Sequence, residues 1–68
     1  MTSEELISNF KNFPDDWIKV SDAALMARTS ASTVRRWIQE GKLQNVLRVQ
    51  GRYWIYRPAF EQFLILEW

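Results

Sequence analysis

The chain of 68 residues carries nine basic and eight acidic side chains, a formal net charge of +1, and neither Cys nor His. A chain this short forms one domain with a small core, and without Cys or His it lacks the usual nucleophiles and zinc ligands, so we expect no enzyme, metal site or cofactor. No apolar run approaches the roughly 20 residues of a membrane span and no signal peptide is evident, so we expect a cytoplasmic protein without membrane or small-molecule partners.

The N-terminal segment, residues 1–16, has the pattern of an acidic amphipathic helix followed by a loop. Thr2 and Glu5 have the spacing of a capping box and Pro14 ends the helical pattern, which predicts a helix over about residues 3–12. Its apolar residues are Leu6, Ile7, Phe10 and Phe13. This apolar face either covers the core or contacts a partner.

The next segment predicts a short extended stretch and then a helix. Residues 17–20 have an extended pattern, and Ser21 is expected to cap a helix over about residues 22–27. Only two residues separate this helix from the next capping residue. Two helices joined by so tight a turn form a helix-turn-helix.

The second helix of this pair is predicted between a cap at Ser30 and a stop at Gly41. Successive residues turn by about 100°, which separates an apolar stripe from a polar surface. The stripe consists of Ala31, Val34 and Ile38, and Arg35 and Trp37 lie at its two edges. The opposite side of the helix carries Ser32, Thr33, Arg36 and Gln39. The polar surface is either a plain solvated face or a surface suited to a groove lined by phosphates and base edges.

Beyond this helix the pattern becomes that of strands. Residues 46–49 and 53–56 are rich in β-branched and aromatic residues, and Gln50-Gly51 between them predicts a β-hairpin. Gln is a poor first residue for a type I′ turn, so the register stays open by one residue, with Arg52 beside the turn in either case. Pro58 then begins a last helix, whose apolar residues are Phe60, Phe63 and Leu64.

Charge is segregated along the chain. Residues 1–16 carry four acidic and one basic side chain, whereas residues 17–57 carry eight basic and two acidic ones. The middle of the chain is therefore a basic module, which attracts a polyanion whatever the total charge of the protein.

Together these elements predict a winged helix-turn-helix: a mainly α fold with a small β-hairpin and an extra N-terminal helix. A helix fits the major groove of double-stranded DNA and reads base edges there, and a hairpin tip that carries arginine fits the minor groove. The candidate contacts to base edges are Ser32, Thr33, Arg36 and Gln39. The candidate contacts to phosphates or the minor groove are Arg35, Lys42, Arg48 and Arg52.

The same residues resemble a known family. The resemblance is carried by Val-Arg-Arg-Trp-Ile at 34–38, Glu-Gly-Lys-Leu at 40–43, Gly-Arg-Tyr-Trp-Ile-Tyr at 51–56 and Pro-Ala-Phe at 58–60. These runs are similar to MerR/excisionase-like winged helix-turn-helix proteins, and most similar to the Cox and Apl excisionase-repressors of temperate phages. By position, the resemblance assigns Ser32, Thr33, Arg35 and Arg36 to the groove-facing helix and Arg52 to the wing.

This resemblance implies a function and partners. Such proteins bind direct repeats in the cytoplasm of the bacterial host, bend the DNA so that an integrase excises rather than inserts, and often repress an early promoter. The implied partners are therefore double-stranded DNA with repeated sites, other copies of the chain, and an integrase.

Two features depart from the family pattern. Arg28 stands where many relatives have a glycine, so either an arginine adopts a positive φ or the turn differs locally. The N-terminal helix is not part of the usual core, which divides the chain into residues 1–16, a helix and loop, and residues 17–68, the DNA-binding domain.

Three roles are open for Trp54. If Tyr53 and Ile55 face the core, Trp54 faces outward, where it packs on Leu47, lies near DNA, or forms a contact between copies of the chain. Two rival functions also remain. One is a plain transcriptional regulator or the anchor module of a DNA-packaging complex, and the other is a protein-interaction module that uses Trp54 and the N-terminal helix.

Overall fold

The computed structural model describes residues 2–67. Its elements are α1 (Ser3–Asn12), a 3-10 turn (Pro14–Asp16), β1 (Trp17–Lys19), α2 (Val20–Ala27), α3 (Ala31–Gln39), β2 (Val46–Val49), β3 (Arg52–Tyr56) and α4 (Arg57–Leu66). Four helices and a three-stranded antiparallel sheet within these residues form a winged helix-turn-helix, which confirms the predicted fold class.

The predicted hairpin is formed by β2 and β3. Val49 lies opposite Arg52, so the turn consists of Gln50 and Gly51, and this settles the register that the sequence left open. Both turn residues have a positive φ, 53° at Gln50 and 80° at Gly51, as a type I′ turn requires. The turn therefore forms although Gln disfavours this conformation.

The extended segment before α2 is a third strand. β1 pairs antiparallel with β3, with Ile18 opposite Ile55, which gives the sheet the order β1-β3-β2. The sequence predicted the extended conformation but not this pairing, because β1 is only three residues long and its partner lies more than thirty residues away along the chain.

The helix α2 begins earlier than predicted. Lys19 is its N-cap residue and makes no capping hydrogen bond through its side chain, while Ser21 lies inside the first turn. The prediction that Ser21 caps this helix is therefore wrong. Val20 is buried in the core, and this packing sets the start of the helix directly after β1 without a capping side chain.

The main core lies between one face of the sheet and helices α2, α3 and α4. Its most enclosed large side chains are Val34 of α3, Ile55 of β3 and Phe60 of α4. Trp37, which the sequence placed at the edge of the apolar stripe, is buried in the same cluster, and its ring lies 5.1 Å from that of Phe63. Small residues of α2 complete this cluster: Ala23, Ala24 and Ala27.

The opposite face of the sheet is covered by α1. Leu6 is buried, and the Phe10 ring lies 5.6 Å from that of Trp17 and 5.5 Å from that of Trp54. The Trp17 ring in turn lies 5.3 Å from that of Tyr56, and its Nε1–H donates a hydrogen bond to Asn9 (3.0 Å). Leu6 and Phe10 therefore have the covering role that the sequence left open, whereas Ile7 and Phe13 are exposed, at 45% and 58%, and a partner contact through them stays a prediction.

The turn between α2 and α3 contains a left-handed residue. Arg28 has φ 55° and ψ 45°. Its N–H donates to the carbonyl of Leu25 (3.2 Å), and the N–H of Thr29 donates to the carbonyl of Ala24 (2.9 Å), which closes the end of α2. The arginine therefore adopts the conformation for which many relatives use a glycine.

Replacing Arg28 by Gly is expected to raise the free energy of unfolding by about 0.5–1 kcal/mol. The left-handed conformation costs a residue with a Cβ roughly 1–2 kcal/mol, and the greater entropy of glycine in the unfolded chain offsets only part of that gain. Chemical denaturation measures the difference. Arg28→Ala is the matched control because it removes the same charge but keeps the Cβ; equal stabilities of the Gly and Ala variants would contradict this account.

Candidate nucleic-acid interface

The helix α3 begins and ends as its sequence predicts. The Ser30 hydroxyl accepts a hydrogen bond from the N–H of Thr33 (3.2 Å), and the two hydroxyl oxygens lie 3.1 Å apart. At the other end Gly41 has φ 78°, and the N–H of Lys42 donates to the carbonyl of Trp37 (2.9 Å). Local capping therefore fixes the length of the helix that the sequence identified as the reading element.

The helix is rotated relative to the predicted apolar stripe. Val34 and Trp37 are buried, whereas Ala31 and Ile38 are only half-buried. The buried side is thus centred between Val34 and Trp37, because the large Trp37 ring packs in the core. The opposite, outward side is centred on Ser32 and Gln39, with Arg35 and Arg36 on its two flanks.

This rotation changes the role expected of Thr33. The sequence placed Thr33 on the far side with the base-reading residues, but the structure half-buries it. Its hydroxyl is already engaged with that of Ser30. Thr33 is therefore less available for a base edge than Ser32, which is exposed.

A basic groove lies between α3 and the hairpin. Arg35 and Gln39 line it from α3, and Arg48 and Arg52 line it from the hairpin. The remaining lining residues are Lys19, Val20, Ser21, Ala31, Gly51 and Tyr53. Four of the ten described lining residues are basic and none is acidic, so the groove suits a polyanion.

The structure separates the two arginines that are adjacent in sequence. Arg35 lines the basic groove, while Arg36 is exposed on the other flank of α3 and is not among the residues that line it. The sequence placed Arg35 at the edge of the apolar stripe and Arg36 on the reading surface. Because the buried side of α3 is centred between Val34 and Trp37, Arg35 points further from the core than the sequence predicted. It therefore lies toward the hairpin.

The side chains of the hairpin alternate between the two faces of the sheet. Arg48 pairs with Tyr53, and Val46 with the buried Ile55, so Arg48 is on the face that looks toward the helical core. Its guanidinium carbon lies 5.4 Å from the centre of the Tyr53 ring. Arg52 lines the groove from beside the turn, as the sequence predicted for its position in the hairpin.

Lys42 lies outside the basic groove. Its ammonium group is 3.7 Å from a carboxylate oxygen of Glu40, and both side chains are about half exposed, at 55% and 48%. Ion pairs this exposed contribute little to stability. The structure therefore places Lys42 beyond the C-terminal end of α3, apart from the four groove cations.

Trp54 lies on the outer face of the sheet, but this face is not open. The ring packs against Phe10 of α1, and Trp54 pairs across the strands with Leu47. The ammonium group of Lys19 lies 5.9 Å from the ring centre. The expected outward orientation is thus confirmed, and of the three roles left open the structure shows the cross-strand pairing with Leu47, to which α1 adds the contact with Phe10. A contact between copies through Trp54 stays a prediction.

The structure adds two residues that the sequence analysis did not assign to the interface. Lys19 and Ser21 flank the start of α2 and line the basic groove opposite the hairpin tip. Because the sequence pattern indicated a helix cap at Ser21, this side chain was not considered as a possible DNA contact. No sequence signal marked Lys19 and Ser21, because the direct passage from strand to helix at Val20 is set by the packing of Val20 in the core.

The chemistry that the described residues bring together is that of the basic groove and α3. Within residues 2–67, no charged or polar side chain is buried and no three potential metal ligands converge. Each helix in that range is too short or too polar to span a bilayer. What the groove supplies is a concave array of exposed cations beside a helix that carries Ser32 and Gln39, which suits phosphates and base edges.

Comparison with known proteins identifies the same unit. A family model described as a helix-turn-helix domain matches residues 17–64. The match runs from the first residue of β1 into α4, so it includes every residue of the basic groove and leaves out α1. This family of DNA-binding domains is typically non-enzymatic and includes excisionase-like members. No curated protein and no solved structure matched the chain.

Proposed function

The chain belongs to the helix-turn-helix domain family, and from that premise we propose that it is a sequence-specific architectural DNA-binding protein that acts as a phage excisionase and transcriptional repressor. The observation that carries the proposal is the basic groove, which joins a reading helix to an arginine-bearing hairpin without an intervening acidic side chain among the described residues. The proposed partner is double-stranded DNA.

The two walls of the groove divide the work. α3 enters the major groove, where Gln39 and Ser32 face base edges. Arg36 contacts the DNA from the flank of α3 that lies away from the hairpin. The hairpin carries Arg52 to the adjacent minor groove, where the negative potential is concentrated. Arg35 and Arg48 lie along the concave surface between the two elements and contact phosphates, which hold the reading helix in register.

The finer role rests on the resemblance of the hairpin and the start of α4 to excisionase-repressors. The strand Gly-Arg-Tyr-Trp-Ile-Tyr leads directly into Pro-Ala-Phe at the start of α4, and both belong to the matched domain. In this role several copies occupy repeated sites and bend the DNA, so that an integrase excises the element. The bend requires energy, which the contacts of several bound copies supply.

Selection from a pool of random duplexes, followed by a salt series on the enriched sequence, tests DNA binding. We expect a short motif to be enriched and log K to fall with log salt at a slope of about −3, since Arg35, Arg48 and Arg52 each neutralise about one phosphate charge and each contribute about −0.9. A pool that shows no enrichment, together with binding that is insensitive to salt, would sink the proposal.

The excisionase role is separated from plain regulation by two further measurements. Circular permutation of one enriched site and of a tandem repeat reports whether bound copies bend DNA. An integrase with its attachment sites then reports whether excision depends on the protein. Bending with stimulated excision supports the proposal, whereas repression of a reporter without any effect on excision favours the plain regulator.

A further inference from the structure

The hairpin holds one cation on an aromatic platform. Arg48 and Tyr53 are direct partners in the antiparallel pairing of β2 and β3, so their side chains leave the same face of the sheet. The guanidinium carbon of Arg48 lies 5.4 Å from the centre of the Tyr53 ring, within the roughly 6 Å range of a cation–π interaction.

The platform itself is held in place by the core. Tyr53 is half-buried and packs against the hydrophobic cluster, while another part of it lines the basic groove. Arg48 is exposed and takes part in none of the ion pairs found among residues 2–67. The ring contact is therefore the interaction that the described residues offer to orient this guanidinium.

We propose that Tyr53 is a positioning residue for DNA binding, whose ring holds the Arg48 guanidinium in the basic groove, where it faces α3 and meets a phosphate. A free arginine side chain loses rotamer freedom when it binds, and a guanidinium already stacked on a fixed ring loses less. The proposal rests on the proposed function, since it concerns how this groove binds DNA. The expected contribution of Tyr53 to DNA binding comes from its aromatic ring and not from its phenolic hydroxyl.

A double-mutant cycle with a matched control cycle tests the proposal. The probe is one duplex of fixed sequence, at 50 to 200 mM salt, and the variants are Tyr53→Phe, Tyr53→Leu and Arg48→Ala, alone and combined. We expect Tyr53→Phe to bind within about twofold of wild type and Tyr53→Leu to bind about two- to fivefold more weakly, the range of an exposed cation–π contact. In the Arg48→Ala background, Tyr53→Leu is expected to have no further effect.

The control cycle replaces Arg48→Ala by Arg52→Ala. Arg52 lines the same groove, and no cation–π contact involves it among the described residues. The effect of Tyr53→Leu should therefore persist in full in the Arg52→Ala background. The salt slope should fall in Tyr53→Leu but not in Tyr53→Phe, a difference that simple loss of folded protein does not produce.

The outcomes distinguish this inference from the proposed function. If wild type binds DNA and Tyr53→Leu weakens binding equally with and without Arg48, Tyr53 has only a structural role and the inference fails alone. If wild type does not bind duplex DNA, the proposed function fails first. Should Tyr53→Leu not fold, NMR of the free wild type decides: ring-current shifts on the Arg48 side-chain protons support the inference, and their absence overturns it.

Discussion

Replacing Trp17 by Ala is expected to lower the free energy of unfolding by about 3–5 kcal/mol, which is comparable to the whole stability of a domain of this size. Trp17 is 4% exposed and lies between the rings of Phe10 and Tyr56. Its indole also donates a hydrogen bond to Asn9 of α1, so the substitution leaves a cavity and removes the bond that fastens α1 to the sheet.

Urea denaturation followed by circular dichroism measures this loss. Leu25→Ala is the matched control, because Leu25 is a large apolar residue that is 78% exposed, and we expect it to change the free energy of unfolding by no more than about 0.5 kcal/mol. Similar midpoints for wild type and Trp17→Ala would show that the cover formed by α1 contributes little to the fold.

Replacing Arg35 by Ala is expected to weaken binding to the selected DNA sequence by about 1.5–3 kcal/mol, or roughly 10- to 150-fold, the range of a hydrogen bond to a charged group such as a phosphate. Arg35 projects from α3 into the basic groove, where Arg48 and Arg52 line the opposite wall. Removing it leaves a gap in the row of cations at the point where the helix and the hairpin meet. Fluorescence anisotropy with a labelled duplex measures the change in Kd.

Two other substitutions serve as controls: Lys11→Ala for the loss of one positive charge, and Arg36→Ala for the rotation of α3 about its axis. Lys11→Ala removes one positive charge from α1, which packs on the other face of the sheet, and is expected to change Kd by less than about twofold at physiological salt, where exposed distant charges are screened. If Lys11→Ala and Arg35→Ala weakened binding equally, the lost net charge would explain the effect and the position of Arg35 in the groove would not. A larger effect of Arg36→Ala than of Arg35→Ala would favour the orientation of α3 that the sequence alone suggested.

Elements set by local chemistry could be predicted from the sequence. The capping box at Thr2 and Glu5, the cap at Ser30 and the turn at Gln50-Gly51 each depend on residues a few positions apart, and each was placed correctly. Alternation along β3 likewise placed Tyr53 and Ile55 on one face of the sheet and Trp54 on the other, because it is a short-range rule.

The elements set by tertiary packing could not be predicted. Nothing near β1 indicates that Ile18 will pair with Ile55, and nothing within α3 indicates that Trp37 will be buried more deeply than Ala31. The depth to which Trp37 is buried sets the rotation of α3 about its axis. This rotation decides whether Arg35 or Arg36 lines the groove. Of the candidate residues that the sequence named, Arg35, Gln39, Arg48 and Arg52 line the basic groove, and their arrangement there follows from contacts across the fold.

The layout of the sheet also limits how copies of the chain can meet. Its central strand, β3, is paired on both sides, and the two edge strands are only three and four residues long. Each edge strand carries an exposed cation, Lys19 on β1 and Arg48 on β2. Short charged edges resist backbone pairing between sheets, which is the first step of β-aggregation. Backbone pairing between the sheets of two copies is therefore disfavoured at both edges of the sheet.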